Sequence, residues 1–179
     1  MVVAEVPRGG GMFTNQIRPA RPGDAPSVVQ LAIDTEMFGI DEVGFFDELL
    51  TGFFNGTLND HHWLVLEGDD GSVHAAAYYA PEPFADRVWN VYFIAVAPDH
   101  QGRGLGATLI ACIEEQLRAA GEHHARVLIV ETSSNEQYAR TRSFYRALGF
   151  DEEARIRQFY GPVDDKVVFW KALVRTPSP

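Results

Sequence analysis

One stretch of this 179-residue chain decides how the rest of the sequence is interpreted. It reads Val96-Ala97-Pro98-Asp99-His100-Gln101-Gly102-Arg103-Gly104-Leu105-Gly106-Ala107. An apolar run over residues 88–97 leads into it, and apolar residues at helical spacing follow over 104–120. This pattern predicts a buried strand, a glycine-rich turn and a helix. Because glycines let a backbone approach a ligand and a helix N-terminus presents free N–H groups, the stretch predicts a phosphate or pyrophosphate site.

Two well-known phosphate-binding patterns fit this turn poorly. A P-loop needs Gly-Lys followed by Ser or Thr, whereas this chain has Gly106-Ala107-Thr108. The dinucleotide fingerprint fits better, with Gly102-x-Gly104-x-x-Ala107 and with Glu131 where a ribose-binding acid would stand. In that fingerprint, however, the first glycine follows its strand almost directly, and here residues 97–101 intervene. A nicotinamide dinucleotide therefore stays the weaker alternative.

The pattern on either side of the turn predicts a mixed α/β fold in three layers. Strands, with their period of two or continuous apolar runs, are predicted over 16–21, 63–66, 73–80, 88–97, 127–130, 152–159 and 166–174. Helices are predicted over 25–36, 41–56, 104–120 and 137–148. Asp164-Asp165-Lys166 is predicted to be a solvated turn before the last strand. The order of these elements indicates one domain over residues 14–175, with a flexible leader at 1–13 and a flexible tail at 176–179.

A third pattern, Gln101-x-x-Gly104-x-Gly106, is followed about forty residues later by Phe144-Tyr145-x-x-Leu148-Gly149-Phe150. With these two motifs the sequence resembles the GNAT superfamily of acyl-CoA-dependent N-acyltransferases, over residues 16–174. The resemblance implies a GNAT fold: a central, twisted, mostly antiparallel sheet of six or seven strands flanked by about four helices. It also implies acetyl-CoA as the co-substrate. Main-chain groups of Ile94, Ala95 and Val96 would then bind the pantetheine arm. The pyrophosphate would lie against Gln101, Gly102, Arg103, Gly104, Leu105, Gly106 and Ala107.

The resemblance also implies two catalytic roles. Tyr145 matches the tyrosine that protonates the departing thiolate, and a phenol with a pKa near 10 is a reasonable donor. Glu131 is our choice as the general base, through a water molecule. The alternatives are that Tyr145 only packs in the core and that Glu131 only helps to bind the substrate ammonium.

The nearest resemblance within the superfamily is to RimI-type ribosomal-protein alanine N-acetyltransferases. Arg157-Gln158-Phe159-Tyr160 resembles the Arg-Asn-Tyr-Tyr phrase of their acceptor loop. Tyr138 stands where those enzymes usually carry an asparagine, and Asn135 is three residues further away. This departure puts a peptide N-terminus as the acceptor in doubt. The candidate substrate-binding residues are Glu36, Phe38, Phe159 and Tyr160.

Composition limits the partners and the location. The chain has 15 Lys and Arg against 25 Asp and Glu, for a net charge of -10. Nucleic acids and anionic membranes bind basic surfaces, so neither is expected as a partner, whereas a cationic amine is. With one cysteine, Cys112, and no histidine pair at ligand spacing, neither a disulfide nor a metal site is expected. No signal peptide or membrane-spanning stretch is evident, which predicts a cytoplasmic protein.

The sequence thus predicts an N-acetyltransferase that moves the acetyl group of acetyl-CoA to a primary amine by direct attack in a ternary complex. A small-molecule amine stands ahead of a peptide or protein N-terminus or lysine. A catalytically quiet acyl-CoA-binding sensor is the alternative from another functional class. A homodimer stays open, because family members often pair.

Overall fold

The computed structural model describes residues 17–35, 43–58 and 60–174. The predicted leader and tail, and the substrate-binding candidates Glu36 and Phe38, lie outside the described residues. The strands are β1 (Ile17–Pro19), β2 (His62–Glu67), β3 (Val73–Pro81), β4 (Val88–Val96), β5 (Val127–Ser133), β6 (Asp151–Gly161) and β7 (Asp164–Ala172). The α-helices are α1 (Ala25–Asp34), α2 (Val43–Phe54), α3 (Leu105–Ala119) and α4 (Ala139–Ala147).

The seven strands form one sheet in the order β1-β2-β3-β4-β5-β7-β6. Among these described strands, β4 and β5 are the one parallel pair, and every other neighbouring pair is antiparallel. The connection between β4 and β5 contains α3, as a crossover between parallel strands requires. The predicted mixed fold, with a mostly antiparallel sheet and four helices, is confirmed.

The two faces of the sheet carry separate hydrophobic cores. On one face, Val28 and Leu31 of α1 and Phe46 of α2 pack against β2, β3 and the second half of β4. On the other face, α3 and α4 cover a core that extends to β5 and β7, with Leu109 and Ile113 of α3 fully buried. Alternate residues of each central strand enter opposite cores, which is why these strands are apolar on both sides. None of the described helices is both long and apolar enough to cross a membrane.

A β-bulge at Tyr92 divides β4 into two halves. Tyr78 of β3 pairs with Phe93, but the next residue of β3, Tyr79, pairs with Val91, so Tyr92 is the extra residue. One inserted residue reverses which side chains face each core. Trp89 and Val91 belong to the core under α3 and α4, whereas Phe93 and Ala95 belong to the core under α1 and α2. The bulge therefore turns Ile94 and Val96 toward α3 and α4.

The prediction of a solvated turn at Asp164-Asp165-Lys166 is wrong. All three residues belong to β7, and Lys166 is 9% exposed. Asp164 accepts hydrogen bonds from Ser133 Oγ at 2.6 Å and from Asn135 Nδ2 at 2.9 Å. Through these contacts Asp164 connects the start of β7 with the end of β5. The charged residues of this segment suggested a solvated turn, and the sequence gives no sign of these hydrogen bonds.

Candidate functional site

The pairing between β4 and β5 ends partway along the two strands, which leaves an opening between their second halves. The two strands pair from Val88 opposite Val127 to Val91 opposite Val130, and the pairing ends where the bulge begins. Beyond this point β4 keeps its pairing with β3 and β5 keeps its pairing with β7, so their facing edges do not pair with each other. Ile94, Ala95 and Val96 lie on the open edge of β4. Such an edge can pair with amide groups of an extended ligand.

The glycine turn follows the open edge directly and leads into α3. Gly102 and Gly104 have φ angles of 74° and 83°, in the left-handed region that favours glycine. A Cβ at either position would meet no atom within 4 Å, so the turn needs glycine there for its backbone conformation. Gln101 donates from its side-chain amide to the carbonyl oxygen of Val96 at 3.2 Å. This bond connects the turn to the end of β4.

The N-terminus of α3 is available to an anion. Gly104 is its N-cap and provides no side-chain hydrogen bond, and Thr108 N donates to the carbonyl of Gly104 at 3.0 Å. The first-turn N–H groups of a helix have no intrahelical acceptor, and the helix dipole makes this end positive. Arg103 is exposed beside it, and among the described residues it forms no ion pair. Of the predicted residues 101–107, residues 101–104 form the turn, and residues 105–107 form the start of α3.

Gly106 allows α3 to lie close to α4. A Cβ at this position would lie 3.3 Å from Cζ of Phe144 and 3.7 Å from a methyl carbon of Val96. Phe144 precedes Tyr145 on α4, so this contact joins the glycine turn, the open edge of β4 and the helix that carries the candidate acid.

Tyr145 lies in the core under α3 and α4, where it is 2% exposed. Its ring contacts Phe150 and Phe169 with centroid separations of 5.8 Å and 5.4 Å. Burial raises the pKa of Tyr145, so the phenol is protonated at neutral pH. Ile94 and Val96 pack against the same core. The candidate acid and the side chains of Ile94 and Val96 therefore share one face of the sheet.

Glu131 forms an ion pair that sequence reasoning missed. Its Oε2 lies 2.7 Å from Nζ of Lys166, and the two side chains are 28% and 11% exposed. Val130 and Val167 belong to the core under α3 and α4, so by strand alternation Glu131 and Lys166 face the other side of the sheet. From the sequence, the alternation of apolar Val167 and Phe169 could have predicted the face on which Lys166 lies. It could not have predicted that Lys166 contacts Glu131.

A wide bulge in β6 forms the outer wall of the site. Ile156 pairs with Lys166 and Gly161 pairs with Asp164, so residues 157–160 lie opposite Asp165 alone. Gln158, with a φ of 54°, donates its backbone N–H to Asp165 Oδ1 at 2.8 Å. The bulge brings Phe159 and Tyr160 beside Lys166, whose Nζ is 3.6 Å and 6.0 Å from their ring centroids. The structure thus places the candidates Phe159, Tyr160 and Glu131 around one lysine.

On the side of β4, the site is bordered by Tyr92 and Glu82, which are hydrogen-bonded to each other. The bulge leaves Tyr92 42% exposed, and its hydroxyl donates to Oε1 of Glu82 at 3.0 Å. Burial, the hydrogen bond to Glu82 and the nearby charges of Glu82 and Glu131 raise the pKa of Tyr92. No signal in the sequence identified this tyrosine, because the strand pattern does not show where a bulge falls.

The loop after β5 is held from both sides. Arg142 of α4 donates from Nη1 to the carbonyl oxygens of Ser133 and Asn135, each at 2.8 Å. The side chain of Asn135 donates to Asp164, so this amide supports the loop. Among the residues that the structure describes, no group of three or more His, Cys, Asp or Glu side chains is arranged to hold a metal ion.

Comparisons with known proteins agree with this fold. A family model described as an acetyltransferase (GNAT) domain matches residues 59–152. A GNAT-family protein from Desulfovibrio desulfuricans has a similar structure, with a TM-score of 0.80 and 32% identity over 88% of this chain and 98% of that one. The search of curated proteins found no match.

Two further solved structures share the fold. The structure of yncA from Salmonella typhimurium, which contains acetyl-CoA, has a TM-score of 0.73 and 22% identity over 91% of this chain and 96% of that one. A ribosomal-protein-alanine N-acetyltransferase from Brucella melitensis has a TM-score of 0.68 and 24% identity over 87% and 98% of the two chains.

Proposed function

This chain belongs to the GNAT superfamily of acetyltransferases, and we propose that it transfers the acetyl group of acetyl-CoA to a primary amine by direct attack in a ternary complex. The observation that carries the proposal is the opening between β4 and β5, which leads to the glycine turn at the N-terminus of α3. A covalent acetyl carrier is disfavoured. Cys112 packs against the core, and burial raises the pKa of its thiol.

The residues of the opening fit coenzyme A. The pantetheine arm carries amide groups, which can pair with the open edge of β4 at Ile94, Ala95 and Val96. The pyrophosphate requires convergent N–H groups, which the turn over residues 101–107 and the uncapped end of α3 can supply. Arg103, exposed and without an ion pair among the described residues, can add a positive charge there.

The acceptor ammonium loses one proton before it attacks and a second after the C–N bond forms, and the departing thiolate gains one; the chain has candidate groups for the first loss and for the gain. A backbone N–H on the open edge of β4 would polarise the thioester carbonyl. Tyr145 would donate its proton to the sulfur of the departing thiolate, and its raised pKa keeps that proton in place at neutral pH. Glu131 would accept the proton of the acceptor ammonium through a water molecule, which converts the ammonium into a nucleophile.

The surroundings of Glu131 favour a small-molecule amine as the acceptor. Carboxylates of Glu82 and Glu131 lie near Tyr92, and the rings of Phe159 and Tyr160 are about half exposed at the outer wall. Such a site suits an ammonium on an apolar body, with the ammonium at the carboxylates and the apolar body against the rings. A peptide acceptor is less favoured, because Tyr138 stands where RimI-type enzymes carry an asparagine and Asn135 is bound to Asp164.

The test is a thermal-shift titration with acetyl-CoA, coenzyme A and NAD, followed by measurement of free-thiol release across a panel of small amines and short peptides. A ligand that binds only the folded state raises the melting temperature by mass action. We expect stabilisation by acetyl-CoA and by coenzyme A, and thiol release that depends on the amine.

The other outcomes lead to different conclusions. Stabilisation by NAD alone would support the dinucleotide alternative and contradict the proposal. Stabilisation by acetyl-CoA without turnover on any acceptor would indicate a sensor module. Faster turnover with peptides than with small amines would correct the acceptor class but leave the reaction as proposed.

A further inference from the structure

Lys166 is a buried cation beside the candidate base. It is 9% exposed as a residue, whereas Arg87 and Asp86 form a surface pair whose side chains are 37% and 66% exposed. An ammonium removed from water is destabilising unless it is paired, and the contact of Lys166 Nζ with Oε2 of Glu131 at 2.7 Å provides the pairing. The pair is therefore a structural element of the site and not an exposed ion pair.

The strand register fixes this pairing. Lys166 lies opposite Ser133 of β5 and opposite Ile156 of β6. Glu131 lies opposite Val168, so Lys166 is its diagonal neighbour on the same face, within reach of a long side chain. Lys166 can thus contact β5 and β6 at once from the strand between them.

Lys166 also contacts the aromatic wall. Its Nζ lies 3.6 Å from the centroid of Phe159, within the range of a cation–π interaction. Asp165 anchors the same bulge, because it accepts from Gln158 N and pairs with Arg155 Nε at 2.9 Å. Adjacent residues of β7 therefore hold the bulge, one through its carboxylate and the other through its ammonium.

We propose that Lys166 is a positioning residue, which holds the Glu131 carboxylate and the Phe159 ring in one arrangement around the acceptor. Its ammonium occupies Oε2 of Glu131, so that Oε1 is the oxygen left for the water and the acceptor amine. Without Lys166, the incoming ammonium could bind either oxygen of Glu131. The bulge would also lose the contact between Phe159 and Lys166 Nζ. The inference rests on the proposed function of Glu131 as the base.

The central experiment is a double-mutant cycle with Lys166→Met and Glu131→Gln, measured as kcat and KM for the amine. We expect Lys166→Met to lower kcat by about tenfold to a hundredfold, because misplacing a base by about 1 Å has effects of this size. In the Glu131→Gln background the same change should alter kcat by less than about threefold, since Lys166 acts through Glu131. Lys166→Arg, which keeps the charge and the cation–π contact, should recover part of the rate.

Lys171→Met is the matched control. Lys171 lies on the same strand, and its Nζ pairs with the buried carboxylate of Glu114 at 2.5 Å, but it faces α3 and α4. We expect it to lower the melting temperature while kcat and KM for the amine stay as in the wild type. If Lys166→Met also changed only the melting temperature, or lowered kcat equally in both Glu131 backgrounds, the proposal would be overturned.

A second measurement does not depend on turnover. Trypsin cleavage after Arg157, in the bulge, should be faster in Lys166→Met than in Lys166→Arg or Lys171→Met. Unchanged cleavage would contradict the contact between Lys166 and the bulge. If the wild type showed no acetyl transfer but Lys166→Met were still cleaved faster, the contact between Lys166 and the bulge would be supported while the proposed function itself failed, so the two failures are distinguishable.

Discussion

Val91 and Val130 are the last residues that pair β4 with β5, and the bulge residue Tyr92 follows Val91 directly. The bulge changes the direction of β4 at the point where its pairing with β5 ends. Beyond this point β4 remains paired with β3, and β5 remains paired with β7. On this basis the cofactor and the acceptor are expected to meet at the open edge of β4 between Tyr92 and Val96.

Tyr145→Phe tests the candidate acid. The ring stays in place among Phe150 and Phe169, so we expect the fold and the affinity for acetyl-CoA to be nearly unchanged. Loss of the proton donor should lower kcat by about a hundredfold or more. Steady-state kinetics and a binding titration would check this. Full turnover in the variant would mean that Tyr145 is only a core residue.

Gly104→Val tests the turn, with Gly121→Val as its control. Both glycines have positive φ, 83° and 90°, both have open space around the Cβ position, and they lie at opposite ends of α3. Each substitution should destabilise the fold through the same backbone strain. Acetyl-CoA affinity, measured by calorimetry, should fall at least about tenfold only for Gly104→Val. Equal affinities in the two variants would show that the turn does not contact the ligand.

Gly106→Ala and Gly44→Ala distinguish close packing from helix propensity. Gly44 lies in α2 with nothing within 4 Å of its Cβ position, so alanine there should raise the free energy of unfolding by about 0.5–1 kcal/mol. At Gly106 the added carbon would lie 3.3 Å from the Phe144 ring. Because this contact is tight, we expect no increase in the free energy of unfolding for Gly106→Ala. Urea unfolding of both variants measures the difference. A similar gain at both positions would mean that α4 moves away without cost.

Asp24→Asn tests a pH-dependent ion pair that supports β1. Asp24 accepts from Arg18 Nη1 at 2.7 Å, from Arg18 Nη2 at 2.9 Å and from Arg21 N at 2.6 Å. The hydrogen bonds with Arg18, together with the backbone bond from Arg21, lower the pKa of Asp24 below its ordinary value of 3.8. We expect Asp24→Asn to lower the free energy of unfolding by about 1.5–3 kcal/mol at pH 7.

The pH dependence of that difference has a definite sign. A carboxylate whose pKa is lower in the folded state stabilises the protein fully above its unfolded pKa, and the stabilisation is lost as the pH falls through the folded pKa. The difference between wild type and Asp24→Asn, measured by urea unfolding, should therefore be constant at neutral pH and shrink below about pH 4. A difference that stayed constant to pH 2 would contradict the ionic origin.

The sequence by itself determined the features that depend on neighbouring residues. The positive φ angles of Gly102 and Gly104 and the start of α3 follow from a short local pattern, because backbone conformation and helix initiation are set within a few residues. Element order and the mixed sheet followed from the same local periodicities. Through the resemblance they carry, these motifs also led to the GNAT superfamily.

The tertiary structure alone decided the arrangement around Glu131. The bulge at Tyr92, the diagonal contact of Glu131 with Lys166 and the bonds of Asp164 to Ser133 and Asn135 depend on strand register. Register is set by contacts between residues far apart in the chain, and a shift of one position reverses the face of every side chain. For that reason Asp164-Asp165-Lys166 looked like a surface turn in the sequence, although Lys166 is buried in the fold beside the candidate base.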